Sequence, residues 1–236
     1  MAKVFWAALL ERNIQDAAVQ SLLDVAMAAG ATGYSRIRWP YSRTDLARNE
    51  IVRQFKSQAE AGDDCLVMLD DDHLMPADVI DRLLRWNQGV VGALAFRRGE
   101  PFFPCFFVRH PSGGLSQTLE WEPGLIQCVI VGSGAIAIRR WVFDALDEAG
   151  YIWPYFRYQY KKGDVPFPSE DVYFGECCDK AGIPHYVDTT FEIPHLAPST
   201  VESSSWRQWQ ADHEEQYKNA QVIEVMAQAP SDGRAA

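Results

Sequence analysis

Cys65-Leu66-Val67-Met68-Leu69-Asp70-Asp71-Asp72-His73 is the stretch that decides the fold. Its apolar run, stopped abruptly by charge, reads as a strand covered on both faces. The three carboxylates that follow repel one another, and packing them against that strand costs free energy unless a cation or hydrogen-bond donors offset it. Open α/β sheets bind ligands outside the carboxyl ends of their strands, and this is such an end. Pro76 then opens a helix that turns Ile80, Leu83 and Leu84 inward.

Upstream, Val4–Leu10 is a first buried strand, too short to span a membrane and without a clear cleavage site. Asn13 or Asp16 caps a helix with Val19, Leu22, Leu23 and Ala26 at helical spacing, ended by Gly30. Tyr34–Trp39 is a second strand, closed by Pro40. Ser42 and Asp45 form a capping box for a helix carrying Ala47, Ile51, Phe55 and Ala59, which Gly62 stops. Strand alternating with helix is the rhythm of a parallel sheet with helices on both faces.

After Gly89 the rhythm changes. Val90–Phe96, Phe102–Val108 and Ile126–Ile138 are strand-like with few helical signals between them, so this half is expected to be mixed or antiparallel. Trp141–Ala149 is a helix, Tyr151–Pro168 an aromatic loop, and Ser169 caps a helix with Val172, Phe174, Cys178 and Ala181 that ends at Gly182. His185–Asp188 is a last strand, followed by Phe191–His195, and Ser203–Ala227 is a polar amphipathic helix before a frayed tail. The expected fold class is α/β: one Rossmann-like domain with a central, mostly parallel sheet, a mixed C-terminal half and helices on both faces. Residues 1–200 form the domain, as halves 1–88 and 89–200, and residues 201–236 form a helical appendage and tail.

At 236 residues, 47% apolar and 23% charged, the chain has the composition of a globular protein, which excludes collagen, coiled coil and wholesale disorder. A formal charge of −10 without a Lys/Arg run argues against extensive nucleic-acid contacts. A phosphate-bearing ligand then has to be held by a few placed cations or by a metal. The cysteines (Cys65, Cys105, Cys128, Cys177, Cys178) form neither a zinc cage nor a disulfide framework and read as reduced thiols of a soluble, cytoplasmic protein.

Four features can carry chemistry. Alternation along an extended chain sends Asp70 and Asp72 to one side and Asp71 to the other. A hard divalent ion, Mn²⁺ or Mg²⁺, accepts one or two such carboxylates and keeps positions open for phosphate oxygens. Against this stands a solvated acidic turn before a helix. Ser169-Glu170-Asp171 either caps a helix or offers a carboxylate, Asp171 or Glu170, to take a proton from an acceptor hydroxyl. His195 is a structural histidine or completes a mixed N/O coordination sphere, whereas His110 and His185 read as surface or structural. Gly132-Ser133-Gly134 marks close approach to the backbone by a ligand or a packed neighbour. Trp153–Tyr160 could stack on a sugar or a base. No dinucleotide fingerprint, P-loop or GxSxG is present.

In their order, Lys3–Leu10, Ala47–Val52, Leu66–Pro76, Val131–Phe143, Ser169–Asp171 and Ile183–His195 resemble the GT-A glycosyltransferases, in particular the small ones akin to family 2. The resemblance spans roughly residues 3–196. It implies a metal-dependent enzyme that moves a sugar from a nucleoside-diphosphate sugar, UDP-sugar favoured, to an acceptor hydroxyl with inversion. Asp70 and Asp72 match the "DxD" acids, Asp70 facing the ribose or the metal's water shell and Asp72 ligating Mn²⁺ or Mg²⁺, with His195 as the distal metal ligand; Asp71 is left open to a share in the site. Leu10, Glu11 and Arg12 end the strand where the base lies, Arg48 reaches the nucleotide, Gly134 lets backbone approach the donor sugar, and Asp171 matches the base, with Glu170 beside it. The acceptor could be a glycan, a small metabolite or a modified nucleobase in DNA. The chain departs from processive synthases: it lacks QxxRW, and Ser205-Trp206-Arg207-Gln208-Trp209 is only superficially similar. A nucleotidyltransferase would carry a Gly-rich, basic loop after the first strand, and a DxD phosphatase would place its motif there. The rival outside enzymology is a non-catalytic nucleotide-sugar or glycan binder on the same fold.

Overall fold

The computed structural model describes residues 2–10, 14–37, 43–159, 169–197 and 201–214. In chain order the elements are β1 (Val4–Leu9), α1 (Asp16–Thr32), β2 (Ser35–Arg36), α2 (Thr44–Gln58), β3 (Cys65–Asp70), α3 (Val79–Leu84), β4 (Val90–Leu94) and β5 (Phe106–Arg109). Then follow β6 (Leu115–Gln117), β7 (Leu125–Cys128), β8 (Ile130–Val131), β9 (Ala135–Arg139), α4 (Arg140–Glu148), α5 (Glu170–Lys180), β10 (His185–Glu192) and α6 (Ser203–Asp212).

The central sheet has seven strands in the order β2-β1-β3-β9-β4-β10-β7. The pairs β2–β1, β1–β3 and β4–β10 are parallel, while β9 lies antiparallel between β3 and β4, and β7 antiparallel to β10. Five strands thus run one way and only β9 and β7 oppose them, as an α/β domain with a mixed C-terminal half requires. A small antiparallel sheet, β6-β5-β8, stands beside it.

Strand alternation divides the core. Leu66 and Met68 of β3 face the layer formed by Ile51, Val52 and Phe55 of α2, Phe143 of α4 and Phe174 of α5. Cys65, Val67 and Leu69 face Leu22, Val25 and Ala29 of α1 and Ile80 and Leu83 of α3. Being buried on both sides is why β3 and β4 read as unbroken apolar runs. Val201 and Trp206 join the first of these layers, so the start of α6 packs into the same core.

Several local expectations change in three dimensions. The buried stripe of α1 is Ala18, Leu22, Val25 and Ala29, whereas Val19 and Leu23 are exposed. That helix passes through Gly30 and stops at Gly33, whose φ of 77° is the left-handed conformation a helix terminus needs. The expected run Ile126–Ile138 splits into β7, β8 and β9, because the chain changes sheets twice. Of Phe102–Val108 only the end is strand. Arg43 is the residue before α2, and it holds Asp45 through two 2.7 Å bonds. Ser42 lies outside the described residues, as does everything after 214 of the expected terminal helix. Tyr155 and Phe156 of the aromatic loop are buried, Phe156 stacking on Phe174 at 4.6 Å, so these two rings serve the core and offer no stacking face. Trp153 is exposed, and Tyr160 lies outside the described residues.

Candidate functional site

The site begins at the carboxyl end of β3. Asp70 is tied to the next strand by its amide, which donates to the Gly134 carbonyl at 2.8 Å. Beyond it the chain leaves the sheet, and residues 72–74 pair with a segment from the far end of the sequence. Leu74 N donates to Pro194 O at 2.9 Å, Leu196 N to Asp72 O at 2.7 Å, and His73 and His195 form an antiparallel bridge.

Asp188 anchors β10 just before its bulge. Fully buried, its carboxylate accepts from Trp86 Nε1 at 2.7 Å, Arg85 Nη2 at 2.9 Å and the Thr190 amide at 2.9 Å. The register with β4 shifts between Asp188 and Glu192: the extra residues of β10 bulge out, and Glu192 pairs with Leu94 one step after Asp188 pairs with Ala93.

Asp72, His73 and His195 form one cluster, each offering a ligand atom within 4.8 Å of the others. The two imidazoles stack at 4.1 Å and 21°. Asp72 Oδ2 lies 3.4 Å from His195 Nε2, and Asp72 Oδ1 lies 2.6 Å from His73 Nδ1. Those last two atoms are buried without a hydrogen-bond partner, as is expected of ligands that converge on a cation. His195 Nδ1 lies 2.8 Å from the Phe96 carbonyl, which can only accept, so the proton sits on Nδ1 and Nε2 presents its lone pair to the cluster. One carboxylate and two imidazoles suit Mn²⁺ better than Mg²⁺, which prefers oxygen ligands. Burial disfavours charge on Asp72, but His195 and His73 outweigh it and hold the carboxyl well below the ordinary range. Burial pushes the His73 imidazole down, keeping it neutral and able to ligate.

Asp70 stands outside this cluster. Its carboxylate receives Arg48 Nη2 in two bonds of 2.8 and 2.9 Å, while Arg48 Nε reaches Glu170 at 3.2 Å. Arg48 is 1% exposed, on the inner face of α2. Burial alone would discharge this guanidinium, but Asp70 and Glu170 hold its pKa above the usual arginine value. Burial raises the Asp70 pKa against the pull of Arg48. Arg48 therefore clamps the end of β3 to the first turn of α5, while its Nη1, buried at the cleft, has no hydrogen-bond partner among the described residues. The Ser169 hydroxyl bonds the Asp171 carboxylate, which also accepts the Val172 amide at 2.8 Å. Burial, and then the neighbouring Glu170, raise the Asp171 pKa.

A cleft of about 420 Å³ gathers these groups. It is lined by Arg48, Asp70, Asp71, Asp72, His73, Gly134, Glu170, Asp171 and His195, with Tyr158 and Arg98 at its wall. Gly134 meets His73: a Cβ there would stand 2.8 Å from His73 Cε1, so the missing side chain makes room for the imidazole. Leu9 rather than Leu10 lines the cleft, because the pleat turns Leu10 the other way, into an apolar hollow against Val19, Leu22 and Leu23. Glu11 and Arg12 lie outside the described residues.

Sequence reading passed over His73 and Arg98. Adjacency of His73 to the acidic triplet was its one signal, and Arg98 had none. His185 is buried beside Phe174, its ring 5.3 Å away, far from solvent. Among the described residues no helix is long and apolar enough to cross a membrane.

No protein-family model matches the sequence, and no curated protein matches it either. Among solved structures the chain is similar to A197 from STIV, at 13% identity over 84% of this chain and 86% of that one, with a TM-score of 0.48. It is similar to a Drosophila beta-1,4-galactosyltransferase 7 variant in complex with manganese, UDP-Gal and xylobiose, at 13% identity over 84% of this chain and 71% of that one, TM-score 0.40. A third is a glycosyltransferase involved in the glycosylation of the major capsid of PBCV-1, at 9% identity over 89% of this chain and all of that one, TM-score 0.38. These likenesses are distant and concern the fold.

Proposed function

We propose that this chain is a metal-dependent glycosyltransferase that moves a sugar from a nucleoside-diphosphate sugar, with UDP the favoured nucleotide, to an acceptor hydroxyl with inversion. The observation that carries the reading is the meeting of Asp72, His73 and His195 at the end of β3, in one cleft with Asp171. In this reading residues 1–88 supply the nucleotide side and residues 89–200 close over it.

Asp72, His73 and His195 would hold Mn²⁺. Bound there, a divalent cation supplies Lewis-acid stabilisation of the charge that develops on the departing diphosphate. Arg48 keeps Asp70 and Glu170 in place and leaves Glu170 engaged. Among the described residues the Asp171 carboxylate accepts from the Ser169 hydroxyl and the Val172 amide, and its raised pKa suits a proton acceptor. Asp171 takes the proton of the acceptor hydroxyl, whose oxygen attacks the anomeric carbon. The bond from that carbon to the diphosphate breaks, and the nucleoside diphosphate leaves with the bonding pair. Attack opposite the leaving group inverts the centre.

Hydrolysis of UDP-, GDP- and TDP-sugars with Mn²⁺ tests the reading without an acceptor. Slow release of one nucleoside diphosphate, lost in Asp171→Asn while donor binding persists, is the expected result. Binding of a nucleotide sugar without any turnover would identify a binder instead, and binding of none would overturn the reading altogether.

A further inference from the structure

Arg98 occupies the position where the cation of the proposed reaction would bind. Its Nε donates to His195 Nε2 at 2.7 Å, and its Nη2 donates to Asp72 Oδ2. A cation between Asp72 and His195 has to use the Nε2 lone pair that Arg98 takes, whereas the Asp72 carboxylate has further lone pairs. His195 Nδ1 is already committed to the Phe96 carbonyl, so Nε2 has no second lone pair to share. A guanidinium and a metal ion therefore exclude one another at this nitrogen.

The surroundings say where Arg98 goes when it yields. Among the described residues, Asp70, Asp71, Asp72, Glu170 and Asp171 line the cleft, against two basic side chains, Arg48 and Arg98. Arg48 is buried and pairs with Asp70 through Nη2 and Glu170 through Nε, which leaves Nη1 as its one nitrogen without a hydrogen-bond partner among them. Arg98, with 57% of its side chain exposed, follows β4 in a connection that reaches β5 only at Phe106. A diphosphate entering so acidic a cleft needs more positive charge than one divalent ion provides. A planar guanidinium on an exposed side chain matches phosphate oxygens in paired hydrogen bonds.

We infer that Arg98 is a two-position cation: it holds Asp72 and His195 in the absence of metal, and binds the donor's diphosphate once a metal has displaced it. The inference rests on the glycosyltransferase reading above and adds a residue that no sequence motif marked. Its consequence is opposite in sign for the two ligands. Removing Arg98 removes a competitor for the metal and a partner for the diphosphate.

The test measures Mn²⁺ binding to the full chain by calorimetry without nucleotide, and then UDP binding at saturating Mn²⁺, for the wild type, Arg98→Ala and Arg98→Lys. Arg98→Ala is expected to bind Mn²⁺ at least about threefold more tightly, since the unoccupied ligand pair is no longer a minor state. It is expected to bind UDP about tenfold more weakly, the loss of a charge-assisted pair of hydrogen bonds. Arg98→Lys should fall between for both. Mn²⁺ affinity unchanged or weakened in Arg98→Ala, with UDP binding intact, overturns the inference and leaves the proposed function standing. A wild type that binds neither Mn²⁺ nor UDP overturns both. Near-UV circular dichroism identical to wild type confirms that the exposed substitution leaves the fold unchanged.

Discussion

His73 lies with its imidazole stacked 4.1 Å from that of His195, and the Asp72 carboxylate approaches one nitrogen on the edge of each ring. His73 follows β3 directly, and His195 follows β10, whose bulge brings Glu192 level with Leu94 at the end of β4. The pair gives the cleft a donor set that the acidic triplet alone would not have.

Single substitutions should separate the three ligands from the nearby clamp. His73→Ala and His195→Ala are each expected to weaken Mn²⁺ binding at least about tenfold, as loss of a ligand or of its orienting partner does. Calorimetric titration with Mn²⁺ reads this out. If His73→Ala bound the ion as well as wild type, His73 would be a spacer and the donor set would have to be redrawn.

Arg48 predicts a stability effect. Arg48→Met leaves Asp70 and Glu170 buried without their cation, and breaking one partner of a buried ion network costs about 3–5 kcal/mol. Urea unfolding should show that loss. A midpoint within error of wild type would mean that the two carboxylates find other partners.

Asp171 and Glu170 are neighbours with different expected phenotypes. Asp171→Asn should lower turnover by about 10²–10⁴, the usual scale for a general base, and leave the unfolding midpoint nearly unchanged. Glu170→Gln should lose stability, because Glu170 bonds Arg48 at 3.2 Å. Reversed phenotypes would move the base to Glu170.

His185 makes stability depend on pH. Its ring is buried, neither nitrogen has a hydrogen-bond partner, and burial pushes its pKa from 6.5 down to about 3. The unfolded chain therefore takes up a proton below about pH 6.5 that the folded chain refuses, so stability is full above that pH and falls as pH drops towards 3. At pH 5 the penalty is about 2 kcal/mol, from roughly one and a half pH units at 1.36 kcal/mol each. Urea melts of wild type and His185→Leu at pH 5 and pH 7.5 measure it: the variant should lose less stability over that interval. Equal losses would show that other groups carry the acid sensitivity.

Gly134→Ala probes the floor of the cluster. The added Cβ would lie 2.8 Å from His73 Cε1 and 3.1 Å from Ile193 Cδ1, so His73 must shift. A cost of about 1–3 kcal/mol, typical of overpacking, should accompany weaker Mn²⁺ binding. Wild-type affinity in that variant would argue against a ligand role for His73.

By itself the sequence determined the layered α/β plan and the place of the cleft. Strands such as β3 and β4, buried on both faces, are apolar throughout, and a carboxylate triplet at the end of one of them has few uses except to meet donors or a cation. The stripe of α2 was legible for the same reason, since Ala47, Ile51 and Phe55 repeat at the period of the helix that buries them. Only the tertiary structure decided which face of α1 turns inward, because its many apolar residues mark two faces and the sheet accepts one. It also decided that Arg48 is an internal clamp, that Tyr155 and Phe156 belong to the core, and that His73 and Arg98 meet Asp72 and His195. Hydrophobic period reports how deeply a residue is buried within its own element. Which distant side chains share a lone pair is settled by where the strands end and how the chain returns.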